Sequence, residues 1–320
     1  MFNPFIKPAN AILAGFSYLK RDISFVGMPL IISTELTNNC NLLCPECISG
    51  SGKMQRPMGF MDIQLFDKIL HELSPYLYNI NLYFQGEPML HPLFFSFIRN
   101  TKNIHTEVST NGHFLNEENA EKIAGSGLGK LIIALDGMDQ EIYGAYRKNG
   151  NVSTVIEGIR NVISAKKRIG SSLKIEIQFL VSRINENQIP QIKRFAREVG
   201  ASMNLKSMQI IDKEDIGTWL PRNRKFRRYE VKEGEYVLKS SLPDRCARLW
   251  FNPVITWDGK VIPCCFDKNA EYIMGDLNTD SFSEIWGGPK YRIFRKSILL
   301  GRHMIEICRN CTSGLRGVKY

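Results

Sequence analysis

The chain has 320 residues, 43% hydrophobic and 23% charged, enough to bury a sizeable core as one large domain with an appendage or as two domains. That composition excludes dominant disorder, and no apolar run approaches the length of a membrane span. The formal charge of +10 points to an acidic partner without identifying one.

Residues 1–29 form an N-terminal segment whose apolar stretch, 11–19, is followed by Lys20 and Arg21. Its length is signal-like, but the basic residues stand mostly on the wrong side for export, so a short amphipathic helix is predicted. Docking of its apolar face on the domain surface is the expected use, and peripheral membrane contact is the second reading.

Residues 30–210 alternate strand and helix. Apolar strands are predicted at 30–36, 79–84, 105–109, 130–135, 173–181 and 203–209, with amphipathic helices at 62–73, 117–124, 152–168 and 188–199 between them. Six strands with right-handed crossovers predict an α/β fold, a partial (βα)6 TIM-type barrel that stays open. Ser33 with Glu35, Asn79 with Asn81 and Tyr83, Glu176 with Gln178, and Asn204 with Lys206 recur at period two, so one strand face carries polar groups. An inward face enclosing a polar cavity is the expectation; the alternative is that these residues satisfy one another or face solvent.

The loop after the first strand reads Cys40-Asn-Leu-Leu-Cys44-Pro-Glu-Cys47. Three thiolates on one tight loop can hold an iron-sulfur cluster and leave one iron open, and an open position is what a catalytic metal site needs. An incomplete zinc knuckle or buried thiols are the alternatives. The glycine-rich stretch at 125–130 imitates a phosphate loop but runs from helix to strand, so it reads as a helix stop. The five histidines show no ligand pairing and are expected to be structural.

Residues 211–245 read as a basic linker. Arg222, Arg224, Lys225, Arg227 and Arg228 would grip a phosphorylated substrate, an anionic membrane or nucleic acid, or would simply lie in solvent. Residues 246–320 read as a small C-terminal β-hairpin/helix module, with Asp258-Gly259 at the hairpin turn. Cys246, Cys264, Cys308 and Cys311 could enclose one metal centre completely, iron-sulfur or structural zinc, with Cys265 spare or an alternative ligand. Metal-ligand spacing in seven of the eight cysteines favours a reducing, cytoplasmic location.

The spacing of Cys40, Cys44 and Cys47 resembles the CxxxCxxC signature of the radical S-adenosylmethionine (SAM) superfamily, which implies a [4Fe-4S] cluster whose open iron chelates SAM. Glu46 stands where the family often has an aromatic residue, which weakens packing over the adenine. Further motifs follow the strands in order. Gln85-Gly86-Glu87-Pro88 is similar to the family's GGEP, with Gln85 for the first glycine, and implies carbonyls and a carboxylate for the methionine amino group; glycine there allows close approach to the ligand. Ser109-Thr110-Asn111-Gly112 is similar to the TNG segment that faces methionine and ribose. Ala134-Leu135-Asp136-Gly137 resembles SLDG with alanine for the serine, so Ser182 is expected to supply the missing ribose contact. Arg147 matches an arginine that often follows SLDG and is expected to pair with a carboxylate. Glu35, Gln178, Lys206 and Arg147 are expected near substrate or SAM, with Asp136 and Arg147 at the cofactor.

The C-terminal cysteines resemble a SPASM or twitch module, which implies one auxiliary [4Fe-4S] cluster on Cys246, Cys264, Cys308 and Cys311; a full SPASM pattern would need further cysteines. The resemblance implies an oxidoreductase-type radical SAM enzyme. Its reduced cluster, fed by a flavodoxin- or ferredoxin-type donor, cleaves SAM to a 5′-deoxyadenosyl radical that abstracts hydrogen from a substrate. Relatives with one auxiliary cluster include alcohol dehydrogenases of aminoglycoside pathways, while others with SPASM modules modify peptides or mature sulfatases. Peptide-modifying members usually carry a leader-binding domain before the barrel, and 39 residues precede Cys40 here. A polar small-molecule substrate, sugar-like or phosphorylated, is therefore expected, with a peptide or protein as the alternative. The alternative of another class is a non-catalytic metal-binding module on nucleic acid or membrane; nucleic acid is not an expected partner.

Overall fold

The computed structural model describes residues 5–313. Residues 1–4 of the N-terminal segment and 314–320 of the C-terminal module lie outside the described residues. Helix α1 (Ile6–Lys20) precedes the alternation β1 (Ile31–Thr34), α2 (Ile63–Leu73), β2 (Asn79–Asn81), α3 (Phe94–Asn100), β3 (His105–Thr110), α4 (Glu117–Gly125), β4 (Lys130–Ala134), α5 (Gln140–Tyr146), α6 (Val152–Ile169), β5 (Lys174–Val181), α7 (Ile189–Val199) and β6 (Ser202–Ser207). Beyond it lie α8 (Ile216–Trp219), β7 (Tyr229–Lys232), β8 (Glu235–Leu238), α9 (Ala247–Phe251), β9 (Val254–Ile255), β10 (Lys260–Ile262), β11 (Gly275–Asp276), α10 (Phe282–Gly287), α11 (Pro289–Gly301) and α12 (Glu306–Arg309). All six strands read from the sequence are present, which makes this an α/β fold built on parallel βα units. The described residues form two compact units, each assembled from separated stretches: one holds residues 5–39, Met54–Glu107 and residues 242–313, the other Cys40–Lys53 and Val108–Ser241.

In the first unit, β1 and β2 pair in parallel with Ile32 opposite Ile80, and β2 continues to β3 with Ile80 opposite Thr106. The C-terminal stretch extends this sheet. Strand β9 pairs in parallel with β1, Ser33 opposite Val254, and the chain turns at Asp258-Gly259 into antiparallel β10. The hairpin read from the sequence is therefore present, but as part of the sheet that β1 belongs to. Trp250, Trp286, Tyr291, Phe66, Phe97 and Phe282 are fully buried here.

Helix α1 belongs to this unit and corrects the docking expectation. It buries Asn10, Ala14 and Ser17 and leaves its large apolar side chains outside. The cause is backbone satisfaction. The segment at 26–28 carries polar groups outside any strand, and only short polar side chains can pair them. Asn10 Nδ2 donates to Met28 O at 3.0 Å and Oδ1 accepts from Met28 N at 2.7 Å. Ser17 Oγ repeats the pattern with Val26, at 3.1 and 3.0 Å.

In the second unit β4, β5 and β6 pair in parallel, with Ile132 opposite Glu176 and Gln178 opposite Asn204. Helix α6 covers them with a stripe of Val152, Val155, Ile159, Val162 and Ile163, all buried, at helical spacing. Each such side chain contributes roughly 1.5–3 kcal/mol. The helix starts on Asn151, whose side chain accepts from Thr154 N. The glycine-rich stretch ends α4, as read, with Gly127 in the left-handed region at φ +83°.

The stretch at 211–245 is more folded than a linker. It forms α8 and the β7–β8 hairpin and buries Ile216, Trp219, Phe226 and Tyr229. Its basic run is fastened to its own unit: Arg222 N and Asn223 N donate to the Glu186 carboxylate at 2.9 Å each, and Arg227 Nε donates to Pro221 O at 2.7 Å. The period-two polar residues bond one another in both units. Asn79 Nδ2 donates to Asn81 Oδ1 (2.7 Å), Asn81 Nδ2 to Ser33 Oγ (3.0 Å), and Ser33 Oγ to Asn252 Oδ1 (3.2 Å). In the second unit Glu176 pairs with Lys130 at 2.9 Å and accepts from Asn204 Nδ2 at 3.4 Å.

Candidate metal centres

The loop of Cys40, Cys44 and Cys47 lies in the second unit, and none of the three is in a disulfide. It is wound by its own backbone: Cys47 N donates to Cys44 O (3.3 Å), and Gly50 N and Ser51 N to Cys47 O (3.1 and 2.8 Å). Leu43 N donates to Lys148 O at 3.0 Å and ties the loop to the end of α5. Cys44 is buried, while Cys40 and Cys47 are half-buried against Leu42, Tyr146, Ile210 and Trp219. Burial pushes the Cys44 thiol up, and the Arg147 guanidinium pulls it back toward the thiolate.

Arg147 Nη1 donates toward Cys44 Sγ at 3.8 Å, while Nε and Nη2 both reach Asp136 Oδ2 at 2.6 Å. Asp136 is 1% exposed, and its Oδ1 accepts from Leu180 N at 2.6 Å. Asp136 and Arg147, both expected at the cofactor, thus form one buried pair that aims a cation at the cysteine loop. Burial opposes that charge, but Asp136 and Cys44 outweigh it and hold the guanidinium protonated. Asn111 Nδ2 donates to Asn41 Oδ1 at 2.7 Å, inside the loop. His113 braces Asn111: its Nδ1 meets Asn111 Oδ1 at 3.0 Å while Nε2 accepts from Asn151 N at 2.9 Å, which fixes a neutral ring. Burial holds that ring below the ordinary histidine range. Glu46 is also buried and accepts from Ile211 N at 2.5 Å, so the residue that departs from the aromatic pattern fastens the loop to the chain after β6.

Ser182, after β5, is buried; its N donates to Asn185 Oδ1 at 2.8 Å in a turn. Gln178 and Lys206 stand half-buried on one face of β5 and β6, in register with Asn204 and Leu180 respectively.

Ser109 and Thr110 end β3 in the second unit, and the other expected residues belong to the first unit. Gly86 takes φ +73°, and a Cβ there would lie 2.6 Å from both Asn39 O and Thr37 O. The close approach that requires glycine is thus to the chain's own backbone just before Cys40. Glu87 N donates to Asn39 O at 2.8 Å, and Glu87 Oε1 accepts from Met89 N at 3.1 Å, which sets Pro88 at the start of a short helical turn. Glu35 is fully buried and meets Arg56 in a two-pronged pair at 2.8 and 2.7 Å, with Trp257 N donating to it at 3.2 Å. Arg56 Nε reaches Lys268 O at 3.1 Å. Glu35 therefore fastens β1 to the hairpin of β9 and β10.

Also in the first unit, Cys246, Cys264, Cys308 and Cys311 are buried and Cys265 is half-buried, all as free thiols. Two arginines face them. Arg302, 1% exposed, donates from Nη2 to Cys311 Sγ at 3.2 Å and from Nη1 to Arg245 O at 3.0 Å, while its Nε has no partner. Arg248 Nη1 donates to Cys265 Sγ at 3.5 Å. Among the described residues no carboxylate pairs with either guanidinium. Burial pushes Cys311 up to about 11 although Arg302 opposes it. The sequence reading missed both arginines; two and six residues from the nearest cysteine, they were in sight as cations inside a cysteine module.

The donor sets fit clusters rather than single ions. Three soft thiols in one loop, and four more beside one buried and one half-buried guanidinium, match a sulfur-rich group carrying negative charge. Among the described residues no three His, Cys, Asp or Glu side chains converge on a single-ion site.

Residues 34–195 match the radical SAM superfamily, and residues 246–312 match SPASM, an iron-sulfur cluster-binding domain. The chain is 25% identical over 313 residues to the tungsten-containing aldehyde ferredoxin oxidoreductase cofactor-modifying protein of Pyrococcus furiosus, covering 87% of this chain and 86% of that protein. It is 26% identical over 313 residues to the PqqA peptide cyclase of Gluconobacter oxydans, covering 88% and 82%. In fold it is similar to Streptococcus suis SuiB bound to the precursor peptide SuiA, with a TM-score of 0.66 and 14% identity over 98% of this chain and 77% of that one. With superfamily motifs in order at the ends of its strands and a family match over half its length, the chain belongs to the radical SAM superfamily and is an enzyme with a SAM-binding [4Fe-4S] cluster and a SPASM auxiliary cluster.

Proposed function

We propose that this radical SAM enzyme modifies a peptide or protein, rather than the small sugar-like or phosphorylated molecule expected from the sequence. The observation that carries this reading is the match to a PqqA peptide cyclase across 88% of the chain. The SuiB fold, which accommodates a precursor peptide, supports it, and a charge of +10 suits an acidic peptide.

In this reading residues 30–210 handle SAM and residues 246–320 the auxiliary centre. Cys40, Cys44 and Cys47 hold the first cluster, and Cys246, Cys264, Cys308 and Cys311 the second. When bound, the first cluster supplies the electron that cleaves SAM to methionine and a 5′-deoxyadenosyl radical. The chain's own residues orient and shield. Gln85 to Pro88 and Ser109 to Asn111 receive the methionine end, and Ser182 faces the ribose. Asp136 keeps Arg147 aimed at the cysteine loop, and Gln178 and Lys206 meet the substrate from β5 and β6. Glu35 serves as a latch between β1 and the auxiliary hairpin. A flavodoxin- or ferredoxin-type donor and a reducing cytoplasm suit eight cysteines outside any disulfide.

The test is anaerobic incubation of reconstituted enzyme with SAM, dithionite and a short acidic peptide encoded beside its gene. Deoxyadenosine that rises with the peptide, together with a changed peptide mass, is expected. Stimulation by an aminocyclitol or sugar phosphate and none by the peptide would return the substrate to the small-molecule class.

A further inference from the structure

Helix α1 carries its apolar side chains on the face turned away from the protein. Ile12, Leu13, Phe16 and Leu19 are 72%, 46%, 60% and 69% exposed. Rotation cannot bury them, because the opposite face is bolted down. Asn10 and Ser17 each bond both ways with the backbone of Met28 and Val26, and Tyr18 packs edge-on against Trp250 and Phe251. No acidic residue occurs in the helix, while Lys20 and Arg21 close it. Lys20 Nζ lies 5.5 Å from the Phe16 ring centroid, so a cation rims the apolar stripe.

An apolar wedge with two cations at its edge, and Asp22 behind them turned back to accept from Ser24 N, complements anionic headgroups above acyl chains. A second copy of this chain fits less well. It would bring Lys20 and Arg21 against their equals, and one stripe of four side chains falls short of the roughly 800 Å² per partner that a stable protein interface buries. Among the described residues no helix is long and apolar enough to cross a membrane, so any attachment through α1 lies in the plane. We propose that α1 seats the protein peripherally on an anionic lipid surface, with Phe16 and Leu19 inserted and Lys20 and Arg21 at the headgroups. The inference stands apart from the substrate reading, since none of these residues belongs to either cysteine site.

The test is co-sedimentation of the reconstituted full chain with phosphatidylcholine vesicles, with and without about one third phosphatidylglycerol. Binding to the anionic vesicles that weakens with salt is expected. Phe16→Ser with Leu19→Ser should lower the partition coefficient about tenfold or more, and Lys20→Glu with Arg21→Glu should remove the salt-sensitive part. Iron content and thermal midpoint of each variant report whether the fold is kept. As a second readout, Ile12→Trp should give a blue-shifted emission on anionic vesicles only. Equal binding by the native and Phe16→Ser/Leu19→Ser proteins would overturn the proposal. So would an absence of binding and of any Trp shift, or a solution dimer that the same double variant dissolves.

Discussion

At the first cysteine loop, the arginine beside the thiols has a carboxylate of its own; at the C-terminal cysteines, two arginines pair with none among the described residues. Arg147 spends most of its charge on Asp136 and touches Cys44 from 3.8 Å, whereas Arg302 has only sulfur and a carbonyl for company. A buried guanidinium without a counter-charge costs several kcal/mol, so the C-terminal site is stable in full only when its thiols carry negative charge. The first site is balanced before any cluster arrives and leaves two of its thiols half-exposed, as suits a centre that must admit a cofactor. The second is closed and electrically incomplete. The second centre is thereby tied to the folding of its own module.

The ligand assignments give the largest effects by which this contrast can be broken. Cys40→Ala should abolish SAM cleavage and Cys264→Ala should leave uncoupled cleavage, each losing about four irons per chain by iron and sulfide assay. Unchanged iron in either variant contradicts its assignment. Next come the arginines, where the two sites should respond in opposite ways. Arg147→Met strands the buried Asp136 and should cost the apoprotein about 3–5 kcal/mol in urea unfolding. Arg302→Met should leave apoprotein stability equal or higher. It should also lower the auxiliary cluster's reduction potential by on the order of 100 mV, the effect of one nearby charge at an effective dielectric of about 20, read by potentiometry with electron paramagnetic resonance. Equal responses at the two sites would dissolve the contrast.

The smallest effect is a pH dependence. Burial holds both His91, in the first unit, and His113, in the second, below the ordinary value of 6.5. His91 is locked neutral with Nε2 on Met61 O at 2.9 Å and Nδ1 accepting from Leu93 N at 3.0 Å. A histidine with a lowered folded pKa contributes stability that is present above the unfolded value and lost as pH falls through the folded one. The thermal midpoint should therefore decline below about pH 6.5. His91→Gln and His113→Gln should each flatten that decline, and only the latter should loosen the cysteine loop through Asn111 and Asn41, as seen in faster iron release.

Much of the barrel was readable because its information is local. Strand and helix alternate at their own periods, and each motif follows a strand end, so the six strands and the order of the site segments could be placed from sequence. What escaped is long-range. The polar strand residues were expected to line a cavity, yet Asn79, Asn81, Ser33 and Asn252 bond to one another, a pairing set by register between distant segments. Glu35 looked like a pocket acid because its partner Arg56 lies in a stretch with no pattern of its own. Helix α1 was read from its amphipathicity, and the sense of its rotation was reversed by two short polar residues whose bonding partners carry no sequence signature.

One pairing has a consequence for synthesis. Strand β1 needs β9 on one of its edges, and Ser33 waits for Asn252, 219 residues later. At 5–20 residues per second the ribosome takes roughly 10 to 40 s to deliver that neighbour, and during this interval a hydrogen-bonding edge of the nascent barrel stays bare. Any chaperone or iron-sulfur delivery factor that attends this protein therefore has its opening before the C-terminal hairpin emerges, and truncated transcripts should yield aggregates rather than a free-standing barrel.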